Sequence, residues 1–310
     1  MSESAPSRTK IIAAYAAIYL IWGSTYLGIR FAIETIPPFL MGGTRFMIAG
    51  AILYVLMRAR GEPRPTLAQV RSTAIIGAAF ILCGNGTVVW AEQFVPSGIV
   101  ALLVAILPFW IVLIEWLGPA RIIPGFGVTL GLIAGIAGIV VLIGADALNP
   151  STSAGGALLK GALAVMGSSL VWAIGSIYSR KAALPRSAFT ATGLEMFLGG
   201  AMMFMVSLIT REPMHFDPAG VSARSIAGFI YLTTIGSLVG FTAFIWLLQH
   251  EPPARVSTYA YVNPVVAVFL GWALAGEPLT PRTVIAAAII IGAVALITTA
   301  RSSSRLRAQE

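Results

Sequence analysis

Arg45 and Glu195 are charges set about two turns inside long apolar runs, where a charge is costly and usually functional. Arg45 can receive a carboxylate through two parallel N–H bonds. Glu195 can receive an ammonium group or carry a proton. Against this stand two plainer readings: Arg45 reaches for the membrane surface, or the two charges pair. Other polar residues in apolar runs suit the same small zwitterionic solute. Ser257, Thr258, Tyr259, Tyr261 and Asn263 crowd ahead of Pro264, and Ser257, Tyr261 and Pro264 share a helical face by i, i+4, i+7 spacing. Asn263 can offer both donor and acceptor, although hydrogen bonding between helices explains these residues equally well. Trp22, Tyr26 and Arg30 share one face of a run, as do Trp172, Ser176 and Arg180 in another. They read as aromatic walls with arginines at the mouths, or as packing with interfacial anchors. Asn85 sits between Gly84 and Gly86, where close backbone approach favours a structural role.

Two prolines, Pro108 and Pro264, fall deep inside apolar runs. Proline removes the bond to the carbonyl four residues back and kinks the helix, leaving the carbonyls of Val104 and Ala260 to face protein or a wet cavity. A pair of hinges lining that cavity is the functional expectation, and kinks that only shape packing are the alternative.

The elements that must position these residues are membrane helices. Of the 310 residues, 57% are hydrophobic and 10% charged, with a mean hydropathy of +0.88. Windows of about 20 apolar residues favour helical spans, and the short alternating segments of a closed barrel do not occur. The net charge of +8 fits arginines and lysines held in cytoplasmic links. They form no stripe, so nucleic acid is not an expected partner. Cys83 is the one cysteine and both histidines, His215 and His250, fall in links, so no disulfide framework, metal site or cofactor is expected. The run from Ile11 to Ile29 is longer than the h-region of a cleaved signal.

Ten spans are expected, at 11–31, 38–57, 73–92, 97–117, 124–144, 158–180, 188–209, 225–248, 255–275 and 282–300. The chain repeats itself. Trp90, Gln93, Pro96, Val100, Pro108, Val112 and Trp116 match Trp246, Gln249, Pro252, Val256, Pro264, Val268 and Trp272 at a shift of 156. At a shift of 150, Trp22, Arg30, Gly43 and Gly50 match Trp172, Arg180, Gly193 and Gly200, while Tyr26 meets Ser176 and Arg45 meets Glu195. Residues 1–150 and 151–310 therefore read as two five-span copies. Five is odd, so the second copy enters the bilayer inverted, as in secondary transporters. With both termini cytoplasmic, Arg8, Lys10, Arg58, Arg60, Arg64, Arg71, Arg121, Arg180, Lys181, Arg186, Arg255, Arg301, Arg305 and Arg307 lie inside, against Arg30, Arg45, Lys160, Arg211, Arg224 and Arg282 outside, which favours that orientation.

Trp22-Gly23-Ser24-Thr25, Pro37-Pro38, Arg45-Phe46, and Pro264 followed by Gly276-Glu277-Pro278 resemble the EamA family of the drug/metabolite transporter superfamily. Ala120-Arg121, which matches Gly276-Glu277, departs from the pattern. The resemblance covers nearly the whole chain and implies ten helices in an inner membrane and export of metabolites. Bacterial amino-acid exporters, the aromatic one included, are the nearest likeness.

The expectation is an all-α polytopic protein that exports small metabolites, amino acids first, by alternating access, with the fifth and tenth spans peripheral. Uptake or exchange of another metabolite is the alternative. A membrane-embedded enzyme would need clustered His, Asp or Cys, and there is no GxxxxGK[ST] sequence for ATP. The expected partners are a small solute and the lipid bilayer, with the chain a monomer or a homodimer. Gly127, Gly131 and Gly135 form a small-residue stripe for packing within one chain or at a dimer contact.

Overall fold

The computed structural model describes residues 7–118, 121, 123–147, 153–251 and 253–307. The expected boundary between the copies, at residue 150, lies outside them. The helices are α1 (Arg8–Ala32), α2 (Pro38–Ala59), α3 (Leu67–Ala91), α4 (Ser97–Val104), α5 (Leu107–Leu117), α6 (Phe126–Ala147), α7 (Ser153–Ser179), α8 (Ala188–Ile209), α9 (Ala223–His250), α10 (Pro253–Val256), α11 (Tyr259–Ala275) and α12 (Pro281–Arg307). Among the described residues there are no strands, and nine stretches are long and apolar enough to cross a membrane. The ninth expected span is not among the nine. A turn at Ser257 and Thr258 separates α10 from α11, leaving α11 as a shorter apolar helix of 17 residues.

Local chemistry sets the helix starts. Pro38 opens α2, where a missing N–H costs nothing. Thr66 and Gln69 form a reciprocal capping box at α3, satisfying two orphan donors. The Ser187 hydroxyl accepts from the Thr190 N–H at α8.

The fourth expected span is broken. α4 ends at Val104 and α5 begins at Leu107, with Pro108 in its first turn. Pro108 therefore starts a helix instead of kinking one, and its absent N–H falls where none is needed. Pro264 does lie inside α11. The matched prolines thus sit in different backbone settings.

Both α3 and α9 widen into a π-helix, over Ala78–Asn85 and Leu232–Val239. In each, a polar side chain satisfies the carbonyl five residues back: Asn85 Nδ2 donates to Phe80 O at 3.0 Å, and Ser237 Oγ to Leu232 O at 3.0 Å. Such bulges leave backbone groups that need a partner.

At the centre α2 crosses α8. A side chain at Gly43 would strike the Phe204 backbone, and one at Gly193 the Tyr54 backbone. Gly50 faces the Phe197 backbone and Gly200 that of Met47. The absent side chains let the two helices approach closely. Phe46, Ala49, Met196 and Met203 fill the remaining space, with Ile81 from α3. Away from this centre α6 lies along α12, with Gly131 against Ala293 and Ile297 and Gly138 against Ile290. The glycine stripe of α6 therefore packs within this chain.

Candidate functional site

Trp22 stands near the middle of α1 and gathers three rings: Phe241 at 5.2 Å, Phe244 at 5.0 Å and Tyr259 at 5.2 Å between centroids. Tilted and edge-on contacts of this kind add roughly 0.5–1.5 kcal/mol each beyond their area. The close approach exists because Gly240 follows the π-helix of α9 and leaves room for the indole, whose Nε1 donates to Gly236 O at 3.3 Å. Trp172 repeats the arrangement on α7. It lies against Gly84 and stacks on Phe80 with centroids 4.7 Å apart. These rings are half-buried, and Phe80 and Phe241 both pack on the α2–α8 core. Two aromatic groups therefore flank the central crossing. Phe80, Phe241 and Phe244 are absent from the sequence-based set, where aromatic residues in apolar runs carry no signal that separates wall from core.

The polar residues divide. Arg45 is buried, at 3% exposure, so it does not reach for the surface. Its guanidinium lies 4.2 Å from the Phe46 ring centroid, and Nη2 donates to Asn85 Oδ1 at 3.5 Å. The alternative pairing of Arg45 with Glu195 is absent from the ion pairs among the described residues. Ser176 turns its hydroxyl to its own helix, at Trp172 O. Tyr261 packs half-buried against the largest apolar cluster. Asn263, oriented to suit its neighbours, donates to the main-chain carbonyls of Tyr19 and Tyr259 at 3.2 Å, which ties α1 to α11. Tyr26 packs half-buried against the largest apolar cluster. Of the predicted residues, the structure brings together Trp22 with Tyr259, and Arg45 with Asn85.

Glu92 is absent from the predicted set. It follows the last turn of α3, yet it is fully buried and neither carboxylate oxygen has a hydrogen-bond partner. Arg30 Nη1 donates to its main-chain carbonyl at 2.6 Å. Glu92 reads in sequence as part of a polar link, and only the folded neighbourhood reveals its burial.

One end of the molecule, where α2 and α4 begin, is closed by carboxylates from far along the chain. Glu277 accepts from the Ser97 and Gly98 N–H groups at 2.7 and 3.1 Å. Gly276 makes this possible: its left-handed backbone (φ 66°) ends α11 and turns the chain back, a conformation glycine adopts without strain. Glu212 accepts from Leu40 at 2.7 Å and Phe39 at 3.3 Å. A carboxylate at a helix N-terminus meets both unpaired donors and a favourable dipole. Burial raises the Glu212 carboxyl above its ordinary range, and the two N–H bonds oppose that shift. We call this the cap end, and the opposite end, where α1 begins, the tail end.

A crevice lined by Ala105, Phe109, Gly131, Ile139, Ile290 and Ile297 is apolar and touches none of the predicted residues. Among the described residues no cluster of metal-binding side chains occurs.

Known proteins resemble this chain along nearly its whole length. The profile of the EamA-like transporter family matches the chain twice, over residues 9–144 and 159–299. The chain is 35% identical over 298 residues to an uncharacterized inner membrane transporter, YedA, of Escherichia coli K12, covering 93% of this chain and 90% of that one. It is 27% identical to Protein PecM of Dickeya dadantii, over 94% and 92% of the two chains. It is 24% identical to an uncharacterized transporter, YoaV, of Bacillus subtilis, over 91% and 94%. A solved crystal structure shares the fold at a TM-score of 0.59 and 22% identity, over 94% of this chain and 99% of the other.

Proposed function

The chain belongs to the EamA-like transporter family, and on that premise we propose that it is a secondary transporter exporting small metabolites, amino acids foremost, by alternating access. The relatives' names support a multi-pass transporter of the inner membrane. In this reading residues 1–150 and 151–310 are two five-span halves, the second inverted, with α10 and α11 together forming the ninth of ten spans. Both termini then lie in the cytoplasm.

One observation carries the reading: the contacts at the α2–α8 crossing are reciprocal. Gly43 meets Phe204 and Gly193 meets Tyr54, while Gly50 meets Phe197 and Gly200 meets Met47. Each pair exchanges under the shift of 150 seen in the sequence. Antiparallel helices related in this way sit on a pseudo-two-fold axis, and such an axis supplies two near-equivalent arrangements of the halves. The aromatic groups around Trp22 and Trp172 flank the axis and suit the apolar part of a solute, with polar groups such as Arg45 to orient it.

The test is flux into and out of proteoliposomes across a panel of amino acids and unrelated metabolites, with and without a pH gradient. Saturable counterflow of one or more amino acids is expected. Movement of another solute with no amino acid carried would overturn the substrate class and leave the transporter.

A further inference from the structure

Arg45 and Glu92 are a base and an acid that the fold buries with no ion pair between them among the described residues. Glu92 is 0% exposed and Arg45 3%, and the charges that act on Glu92 are Arg30, Arg45 and Glu277. No ion pair joins Glu92 to either arginine among the described residues. Arg30 spends a donor on the Glu92 main chain, and Arg45 spends one on Asn85. What remains is an acceptor pair, Oε1 and Oε2 of Glu92, and a donor, Nε of Arg45, all buried and all without partners. Leaving such groups unsatisfied in dry surroundings is costly. The cost persists in a folded protein when another state or a ligand relieves it.

We propose that Glu92 and Arg45 are the two poles of the solute site, Glu92 receiving an ammonium group and Arg45 a carboxylate of the same amino acid. The assignment rests on the amino-acid reading above and replaces Glu195 with Glu92 as the acidic pole. A zwitterion supplies a cation and an anion held on one carbon, so a single molecule satisfies both orphaned groups. A lone cation or lone anion would leave one pole unmet. Asn85 holds the guanidinium from the widened turn of α3.

The experiment is counterflow in proteoliposomes with whichever of phenylalanine, leucine and threonine the wild type carries fastest. That amino acid is compared with its deaminated acid, which lacks the ammonium group, and with its amide, which lacks the carboxylate. The wild type should favour the amino acid over both analogues by at least about tenfold in kcat/KM. Glu92→Gln should abolish the preference over the deaminated acid alone, Arg45→Gln the preference over the amide alone, and Glu92→Asp should retain both. Ratios within one variant do not depend on how much of it folds, and the wild-type comparison needs no variant. If the wild type carries both analogues as well as the amino acid, or if Glu92→Gln keeps the wild-type ratio, the two poles hold water and not solute, and the proposal falls. If the wild type carries none of the three amino acids but moves other solutes, this proposal falls together with the amino-acid reading.

Discussion

The cap end and the tail end are built from matching stretches of sequence and are tied in different ways. At the cap end, Glu212 and Glu277 reach across to the N-termini of α2 and α4. At the tail end the matching positions are Glu62 and Arg121. α8 is capped there by its own Ser187, and Arg121 is an exposed cation that cannot accept from an N–H group. The tail end keeps a side-chain to main-chain bond from Gln69 to Leu184 O and a half-exposed pair of Arg180 with Glu115 at 3.0 Å, worth little at the surface. Carboxylates on helix N-termini thus hold the cap end, while a neutral side-chain bond and a half-exposed ion pair tie the tail end across the chain. The difference teaches that matching stretches tie the two ends by different chemistry, with carboxylates on helix N-termini at the cap end.

Removing the clasps should break that contrast. Glu277→Ala takes the charged acceptor from two N–H groups and should cost about 2 kcal/mol. Ser97, fully buried in the wild type, then becomes reachable. A Ser97→Cys reporter in a Cys83→Ser background should react with a water-soluble maleimide several-fold faster once Glu277 is lost. A Thr190→Cys reporter, at the tail end, should not. Glu212→Ala should do less, about 1 kcal/mol in thermal unfolding, because Glu212 is more weakly placed at Phe39, 3.3 Å away. Ser187→Ala should cost about 0.5–1 kcal/mol and leave labelling at both reporters unchanged, since it removes a cap within one element. Arg121→Glu would test the contrast from the other side, placing an acid at the tail-end position that matches Glu277. Below about 0.5 kcal/mol is expected in stability, with slower labelling at a Val256→Cys reporter on α10, the helix that matches α4 at the shift of 156. Faster labelling there would show that the acid at this position makes no clasp.

Most helices could be read from apolar length and punctuation. The second expected span, 38–57, is α2, because Pro38 and the charges at Arg58 and Arg60 bound it on both sides. Trp22 and Tyr259 each stand out in the sequence, one as an aromatic in the first run and one in the polar stretch before Pro264, but nothing there pairs them. Other features were hidden for physical reasons. The break before Pro108 depends on two residues, Ala105 and Ile106, that carry no turn chemistry of their own. The π-helices lie where α3 and α9 meet Trp172 and Trp22, and glycine at 84 and 240 signals only that something approaches closely. Glu92 is burial without a local cause: its surroundings come from α1, α2 and the turn after α11.

The α2–α8 crossing carries a consequence for how this protein can vary. Four hydrogen atoms, on Gly43, Gly50, Gly193 and Gly200, set the gap between two backbones. A methyl group added at any of them wedges the helices apart along their shared seam, and the neighbours of both helices must follow. Neither portion of the chain is free to drift alone there, and two separately synthesised pieces would find in that seam the surface along which to rejoin.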